Sequence, residues 1–245
     1  KFKGAQNEAY LQIPDTEYVK ENQDIIRHIT IAPEIKGAME FIKDIKKDTN
    51  ISLSIGHSGA TFEQAMESIQ SGINHATHMF NAMSPLHHRE PGVVGAILSS
   101  HISCEVICDN IHVHSGLFKL LSNIKGPNKL VLVTDCMSAG GKSDGEYSLG
   151  GQKVVVEKAS ARLEDGNLAG SVLKLNDALR NMLNHTGNTI EKVISYVTIN
   201  PATVIHMQDT KGTLDIGKDA DITVFDSNIN IQITIGKGRV IYEKH

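Results

Sequence analysis

The chain has 245 residues, 40% of them hydrophobic, which is enough for one large core or for a core with a small satellite domain. A formal net charge of −4 and a pI near 6.3 argue against nucleic acid or an acidic membrane surface as the main partner. No apolar run approaches the roughly 18 residues that span a bilayer, and no secretory signal opens the chain, so we expect a soluble protein.

After an opening loop, residues 1–14, the first part of the chain alternates predicted helices and strands. The predicted strands cover residues 28–32, 51–57, 71–78, 103–108 and 129–134. The predicted helices cover residues 16–27, 35–47, 61–70, 93–100 and 117–124. Strand-then-helix units in a row, each strand finishing on a polar residue, are typical of an α/β protein with a (β/α)8 TIM-like barrel. Eight strands close such a barrel, so we expect its first strands to lie upstream of Lys1.

The pattern changes after residue 135. A polar, Gly-rich segment from Gly140 to Gly151 precedes two short predicted strands, residues 153–157 and 161–168, with a turn at Asp165-Gly166. Predicted helices cover residues 173–183 and 190–196, and a further one starts in the segment 200–207. The tail, residues 213–242, is rich in alternating β-type runs. We therefore predict a barrel over residues 1–207 with a β-rich insertion at about 143–170, and part of a small β-sandwich domain over 208–245.

Two of the predicted strands end in a histidine, and a single helix joins them. The run ISLSIGH ends at His57, and the run SGINHATH ends at His78. The strands of a βαβ unit lie side by side and parallel, so both imidazoles should emerge at one edge of the sheet, where α/β proteins build their sites. A polar strand cap is the alternative for each histidine. His75, three residues before His78, is expected to pack or to support a ligand rather than to bind metal.

Three cysteines, Cys104, Cys108 and Cys136, form an odd set without the spacing of a paired zinc site. This fits reduced thiols, so we expect a cytoplasmic protein.

Several segments, taken together, resemble the N-acetylglucosamine-6-phosphate deacetylase family of the amidohydrolase superfamily. They are KGAQN, GHSGAT, ATHMFNAM, HREPG, DNIHVH, LVTDCMSAGG and GTLDIGKDADITVFD, in order and with unbroken spacing. The segment GKDADITVFD marks only the superfamily, whereas ATHMFNAM followed by HREPG marks this branch. The resemblance implies a deformed TIM barrel with a β-sandwich domain, and one or two divalent metal ions (Zn, Fe, Mn or Co) per subunit. It also implies removal of acetate from N-acetylglucosamine 6-phosphate to give glucosamine 6-phosphate.

The chemistry of amide hydrolysis suits the residues at the strand ends. A divalent metal lowers the pKa of bound water to about 7 and acts as a Lewis acid on the carbonyl. A nearby carboxylate can take a proton from the water and return it to the leaving nitrogen. We expect His57 and His78 to be metal ligands and Asp135 to be the general base and then acid, which are the roles that the resemblance implies. The alternative for Asp135 is a helix N-cap.

The resemblance also assigns residues to the amino-sugar phosphate. Arg89 becomes a phosphate contact that reaches the neighbouring site of a homodimer, and a guanidinium suits phosphate geometry. The other positions that match substrate-contacting segments are Ala5, Gln6, Asn81, Ala82, Asp109, Asn110, Ile111, His112, Leu168, Ala169 and Gly170. A surface arginine and a structural histidine are the alternatives for Arg89 and His112. His87 and His88 add positive potential beside Arg89, and an ordinary surface loop is the alternative for them.

A catalytic zinc site uses three protein ligands and a water, and this sequence provides two. The family's third ligand is a glutamate in a stretch just before the KGAQN-like segment, so we expect it upstream of Lys1. Glu34 is another candidate for the third metal ligand, but the family carries a similar Ala-Pro-Glu without using it to bind metal. We therefore expect a longer parent enzyme to be active and the 245-residue segment by itself to be inactive.

Two other interpretations remain open. One is a different amidohydrolase, such as a cyclic amidase or a deaminase, which HREPG and the absence of a lysine at a strand end argue against. The other is a scaffold that has kept the fold and lost the activity. It predicts no bound metal, although His57, His78 and Asp135 are all present.

Overall fold

The computed structural model describes residues 2–244. Its strands are β1 (His28–Ile31), β2 (Ser52–Ile55), β3 (His75–Ala76), β4 (Ser103–Ile107), β5 (Leu130–Val133), β6 (Gly145–Leu149), β7 (Gln152–Glu157), β8 (Ser160–Leu163), β9 (Ile222–Phe225), β10 (Ile231–Gly236) and β11 (Arg239–Glu243). Its α-helices are α1 (Thr16–Glu21), α2 (Ala38–Asp48), α3 (Phe62–Ser71), α4 (Gly92–Ser99), α5 (Gly116–Lys125), α6 (Leu175–Thr186), α7 (Ile190–Val193) and α8 (Ile199–Val204). Two 3-10 helices cover Glu8–Tyr10 and Ile194–Val197.

The first five strands form one parallel sheet in the order β1-β2-β3-β4-β5. Each strand pairs with the next one along the chain, and a helix lies between successive strands. Sequential parallel pairing through helical crossovers is the arrangement of a (β/α) barrel. The predicted α/β architecture is therefore confirmed, with five of the eight strands of such a barrel in the described residues.

Helices α2, α3 and α5 each bury one face, whereas α4 is buried on nearly all sides. In α2 the buried stripe is Ala38, Phe41, Ile42 and Ile45, the spacing expected for one helical face. Helix α3 begins with a capping box, in which Thr61 and Gln64 bond each other's backbone N–H groups. These local signals explain why the helix positions could be predicted closely.

One face of the sheet carries hydroxyl groups rather than apolar side chains. The Thr77 Oγ1 atom lies 2.8 Å from Thr30 Oγ1 and 2.6 Å from Ser54 Oγ. Ser52 donates to the Asn74 side chain over 2.9 Å. These contacts pair the hydroxyl groups of Ser52 and Ser54, which are buried, whereas the ring nitrogens of His28 in β1 are buried without a hydrogen-bond partner among the described residues.

Several predicted elements are shorter than expected, among them strand β8, which ends at Leu163 rather than at residue 168. Helix α1 ends at Glu21 rather than near Arg27, because the Asn22 side chain donates to the Tyr18 carbonyl oxygen over 2.8 Å. Strand β3 has two residues, because helix α3 extends to Ser71 on one side and His78, on the other, takes a φ of 26°, which is incompatible with an extended strand. Periodicity in the sequence gave no sign of where α1 and β3 end.

The second part of the chain forms two antiparallel sheets of three strands, β6-β7-β8 and β11-β10-β9. Strand β6 lies in the Gly-rich segment, inside the insertion at about 143–170 that the sequence predicts to be β-rich, although no separate strand was predicted for residues 145–149. The predicted turn at Asp165-Gly166 is present, with the Gly166 N–H bonded to the Leu163 carbonyl oxygen at 2.9 Å. A small apolar cluster under the first sheet joins it to the segment after β5. The domain boundary between residues 207 and 208 stays a prediction.

Within residues 2–244, no helix is both long and apolar enough to cross a membrane. Cys104 and Cys108 are buried, Cys136 is exposed, and all three are free thiols, as predicted.

Candidate active site

The two strand-end histidines meet, as the βαβ unit predicts. The Nε2 atoms of His57 and His78 lie 3.0 Å apart, and the ring planes meet at 78°. Two nitrogen ligands of one tetrahedral zinc ion, each about 2.0–2.1 Å from it, lie roughly 3.3–3.4 Å apart. The pair therefore fits two ligands of a shared divalent cation.

Backbone geometry directs both rings to this point. His57 has a φ of 50° and His78 a φ of 26°, and Asp135, after β5, has a φ of 49°. Non-glycine residues adopt this left-handed region rarely, at a cost on the order of 1–3 kcal/mol each, and often at functional sites. Three such residues at three strand ends indicate a site that the surrounding fold holds in place.

The lowered pKa of His78 suits metal ligation, which requires a neutral imidazole. Burial, followed by the neighbouring His57, lowers the pKa of His78. The His57 Nδ1 atom lies 3.0 Å from the Phe2 carbonyl oxygen, so an Nδ1–H there leaves the Nε2 lone pair free for a cation. His78 Nδ1 is buried without a hydrogen-bond partner among the described residues.

A third metal ligand does not lie beside the pair. Among residues 2–244, no group of three His, Cys, Asp or Glu side chains is placed to hold one metal ion. Glu34 is otherwise engaged, because its carboxylate accepts from the Ser58 hydroxyl at 2.7 Å and the Gly59 N–H at 2.6 Å. Glu34 thus fixes the loop that follows His57, which agrees with the expectation that it is not a ligand.

The site opens into a cavity of about 560 Å³. The predicted site residues that line it are Ala5, Gln6, His57, His78, Asn81, Ala82, His112, Asp135, Leu168 and Gly170. Asp135, which follows β5, is exposed and lines this cavity, so its carboxylate is accessible to a ligand. The N-cap alternative for Asp135 is wrong, since the next α-helix, α6, begins at Leu175.

Five predicted substrate residues lie outside the lining: Arg89, Asp109, Asn110, Ile111 and Ala169. Arg89 is exposed in the loop before α4, and its Nη1 atom lies 2.7 Å from His88 Nε2. Ala169 is fully buried in the small apolar cluster, where it packs rather than contacts a ligand.

The Asp109 carboxylate does not line the cavity but bonds to Ile111 and His112. Its Oδ2 atom lies 2.6 Å from His112 Nδ1, and its Oδ1 atom accepts the backbone N–H groups of Ile111 and His112, both over 2.8 Å. Burial raises the pKa of Asp109, but these bonds outweigh it, so the pKa lies below its usual value. An ionised Asp109 therefore fixes the His112 ring with Nε2 as its free nitrogen.

Sequence reasoning missed a further residue, Glu105 in the middle of β4. Its Oε2 atom accepts the backbone N–H of His78 over 3.1 Å, and its Oε1 atom lies 3.2 Å from His75 Nε2. His75, predicted to pack or to support a ligand, contacts Glu105, which in turn bonds to the backbone of His78. An acidic residue inside an apolar strand, SCEVIC, was the only available signal.

Comparison with known proteins agrees with this geometry. The sequence matches the model of the amidohydrolase family over residues 15–241. It is 40% identical over 242 residues to an N-acetylglucosamine-6-phosphate deacetylase of Lysinibacillus sphaericus, a match that covers 97% of this chain and 62% of that protein. The corresponding enzyme of Bacillus subtilis (strain 168) is 38% identical over 244 residues, covering 98% and 61%.

The fold is shared as well. A crystal structure of N-acetylglucosamine-6-phosphate deacetylase from Thermotoga maritima matches with a TM-score of 0.92 and 36% identity, covering 99% of this chain and 66% of that one. The chain spans 62% and 61% of the length of the two bacterial relatives. Because the family model covers residues 15–241, the chain belongs to the amidohydrolase family.

Proposed function

We propose that the protein is a metal-dependent hydrolase of amino-sugar metabolism that removes acetate from N-acetylglucosamine 6-phosphate to give glucosamine 6-phosphate. The observation that carries the proposal is the 3.0 Å approach of the two histidine Nε2 atoms in the wall of the cavity that also exposes Asp135. The deacetylase activity of relatives that are 38–40% identical supports it.

His57 and His78 would hold a divalent cation, with zinc, iron, manganese and cobalt as candidates. Such a cation supplies hydroxide at neutral pH and polarises the acetyl carbonyl. Asp135, the acid in the same cavity, takes a proton from the attacking water and gives it to the departing amine. His112, held by Asp109, presents Nε2 to the substrate.

The cavity suits a sugar phosphate in size, since ligand pockets are typically about 300–1,000 Å³. Arg89 does not line the cavity of its own chain and points into solvent. We assign it to the phosphate bound by a second copy, in a cytoplasmic homodimer whose symmetric interface brings each arginine to the other site. A guanidinium fork is well suited to phosphate oxygens.

Acetate release by the purified full-length protein tests the proposal. With added Zn²⁺, Fe²⁺, Mn²⁺ or Co²⁺, we expect turnover of N-acetylglucosamine 6-phosphate and at least ~10-fold lower kcat/KM for unphosphorylated N-acetylglucosamine. Replacing Asp135 with Asn should lower kcat by about 10²–10⁴-fold. The exposed Asp24→Asn variant is the control and should keep full activity.

Absence of acetate release with every metal would refute the proposal. Equal turnover of the phosphorylated and unphosphorylated sugars would refute the assigned substrate and leave the hydrolytic chemistry standing.

A further inference from the structure

Glu105 lies where the strand that leads to His78 loses its regular pairing. Strand β3 pairs with β4 only at His75 and Ala76. The next residue, Thr77, still donates its N–H to the β2 carbonyl of Ile55 over 3.0 Å. His78 then turns to a φ of 26° and leaves the sheet. From that point regular pairing with β4 ends, and the Met79 N–H is the next backbone group of the segment that bonds to β4.

Glu105 holds the segment after Thr77 through its side-chain carboxylate and its backbone carbonyl. Its carboxylate accepts the His78 N–H over 3.1 Å, and its backbone carbonyl accepts the Met79 N–H over 2.9 Å. Without the carboxylate, the His78 N–H would lose its acceptor in a buried place, since the residue is only 8% exposed. An unmet buried donor is costly, so this bond strongly restrains the backbone that carries the His78 ring.

The carboxylate is itself held from the other side. His75 Nε2 lies 3.2 Å from Glu105 Oε1, and His75 Nδ1 lies 2.7 Å from the Ser103 hydroxyl. The His75 side chain is 1% exposed and that of Glu105 17%. The carboxylate therefore has both oxygens engaged and little freedom to move away from His78.

We propose that Glu105 is a positioning residue that holds the backbone of His78 so that its Nε2 atom meets that of His57. The proposal rests on the proposed function, because its consequence is the affinity and geometry of a cation bound by the two histidines. Partners that orient a ligand residue typically contribute about 10–100-fold to metal affinity. Glu105 does not touch the cation or the substrate in this role.

Direct metal binding to the full-length protein tests the role. Zn²⁺ affinity is measured by competition with a chromophoric chelator, and the visible absorption spectrum of the Co²⁺ form reports on ligand geometry. In Glu105→Gln, the one remaining oxygen can accept from His78 or from His75 but not from both, because the NH₂ group that replaces the other oxygen cannot accept. In Glu105→Asp, both acceptors remain, but the shorter side chain withdraws them from the His78 N–H.

We expect both variants to bind Zn²⁺ about 10–100-fold more weakly and to alter the Co²⁺ spectrum. The control is Ser122→Ala, which removes a buried hydroxyl bonded to Tyr196 and Asn188 away from the site. It should lower the temperature of unfolding and leave zinc affinity and the Co²⁺ spectrum unchanged. A loss of affinity confined to the Glu105 variants thus separates positioning from general destabilisation.

Wild-type affinity and an unchanged spectrum in both Glu105 variants would overturn the proposal while leaving the metal-dependent function intact. If Glu105→Gln does not fold, the zinc affinity and Co²⁺ spectrum of Glu105→Asp alone decide whether the proposal stands. Failure of the wild-type protein to bind any divalent metal would overturn the proposed function, and the role of Glu105 with it.

Discussion

At the scale of single residues, three of the non-glycine residues with positive φ lie at strand ends in the candidate site. His57, His78 and Asp135 each follow a strand of the parallel sheet and each have φ between 26° and 50°. An extended conformation at these positions would continue the strand and send the side chains to alternate faces. The left-handed conformation ends each strand and turns the side chain into the shared cavity, so the backbone cost has a functional explanation.

The Asp109–His112 pair leads to a kinetic prediction. In Asp109→Asn, the amide can still accept the two backbone N–H groups, but its NH₂ group faces His112 Nδ1 and disfavours the present ring tautomer. We expect kcat/KM to fall about 10–100-fold with unchanged zinc affinity. Asp226→Asn is the matched control, because Asp226 accepts two backbone N–H groups in the same way in the turn before β10. Unchanged kinetics in Asp109→Asn would contradict the assignment.

The lowered pKa of Asp109 also predicts how the stability of the folded protein depends on pH. The pKa of Asp109 is lower in the folded protein than its unfolded value of about 3.9, so the folded state binds fewer protons. Its contribution to stability is therefore present above about pH 4 and is lost as the pH falls through the folded pKa. Denaturant unfolding at a series of pH values should show the wild type losing its advantage over Asp109→Asn on acidification. A constant difference would contradict this.

At the scale of elements, the turn after β8 fixes the backbone of the proposed catalytic acid. The Ser171 N–H donates to the Asp135 carbonyl oxygen over 2.7 Å, so the segment 168–171 runs against the end of β5. Gly170, in this segment, has a φ of 63°, and a Cβ atom there would lie 2.9 Å from the same carbonyl oxygen. Only glycine allows this close approach without displacing Asp135.

Gly170→Ala should therefore reduce both stability and activity. The positive φ costs about 1–2 kcal/mol, and the contact with Asp135 adds roughly 1–3 kcal/mol and lowers kcat. Gly166→Ala is the matched control, since Gly166 has a φ of 86° with open space around its Cβ position. It should show the conformational cost alone. Thermal unfolding and steady-state kinetics of the two variants provide the comparison, and equal kcat values would contradict the role of Gly170.

At the scale of the whole molecule, the proposed homodimer can be tested by complementation. Arg89→Ala removes the phosphate contact from the neighbouring site, and Asp135→Asn disables the site of its own chain. A mixed dimer then has one complete site, with Asp135 from one chain and Arg89 from the other. Unfolding and refolding an equal mixture should restore about one quarter of wild-type activity, since half of the dimers are mixed. Each variant refolded alone is the control.

No recovery from a mixture shown to contain mixed dimers would refute the contact across the interface. Arg89 would then act within its own chain or not at all.

The sequence determined the order and type of most elements and the meeting of His57 with His78. Alternating and helical apolar spacing reflects burial on one face, which is a local property of the chain. A right-handed βαβ crossover then leaves little choice about where the two strand ends lie. The sequence predicted a β-rich insertion around strand β6 but not the strand itself, because a segment with several glycines has no clear strand period and pairs only once a neighbouring strand is present.

Only the tertiary structure decided which residues support the site. Glu105 reaches His78 across 27 positions, and Glu34 reaches Ser58 across 24. Both contacts depend on the register of neighbouring strands and on rare φ values at the loop, and spacing along the sequence encodes neither. Asp109 and Ala169 were predicted to contact the substrate but do not line the cavity. A motif gives a residue's position along the chain, whereas packing decides which way its side chain faces.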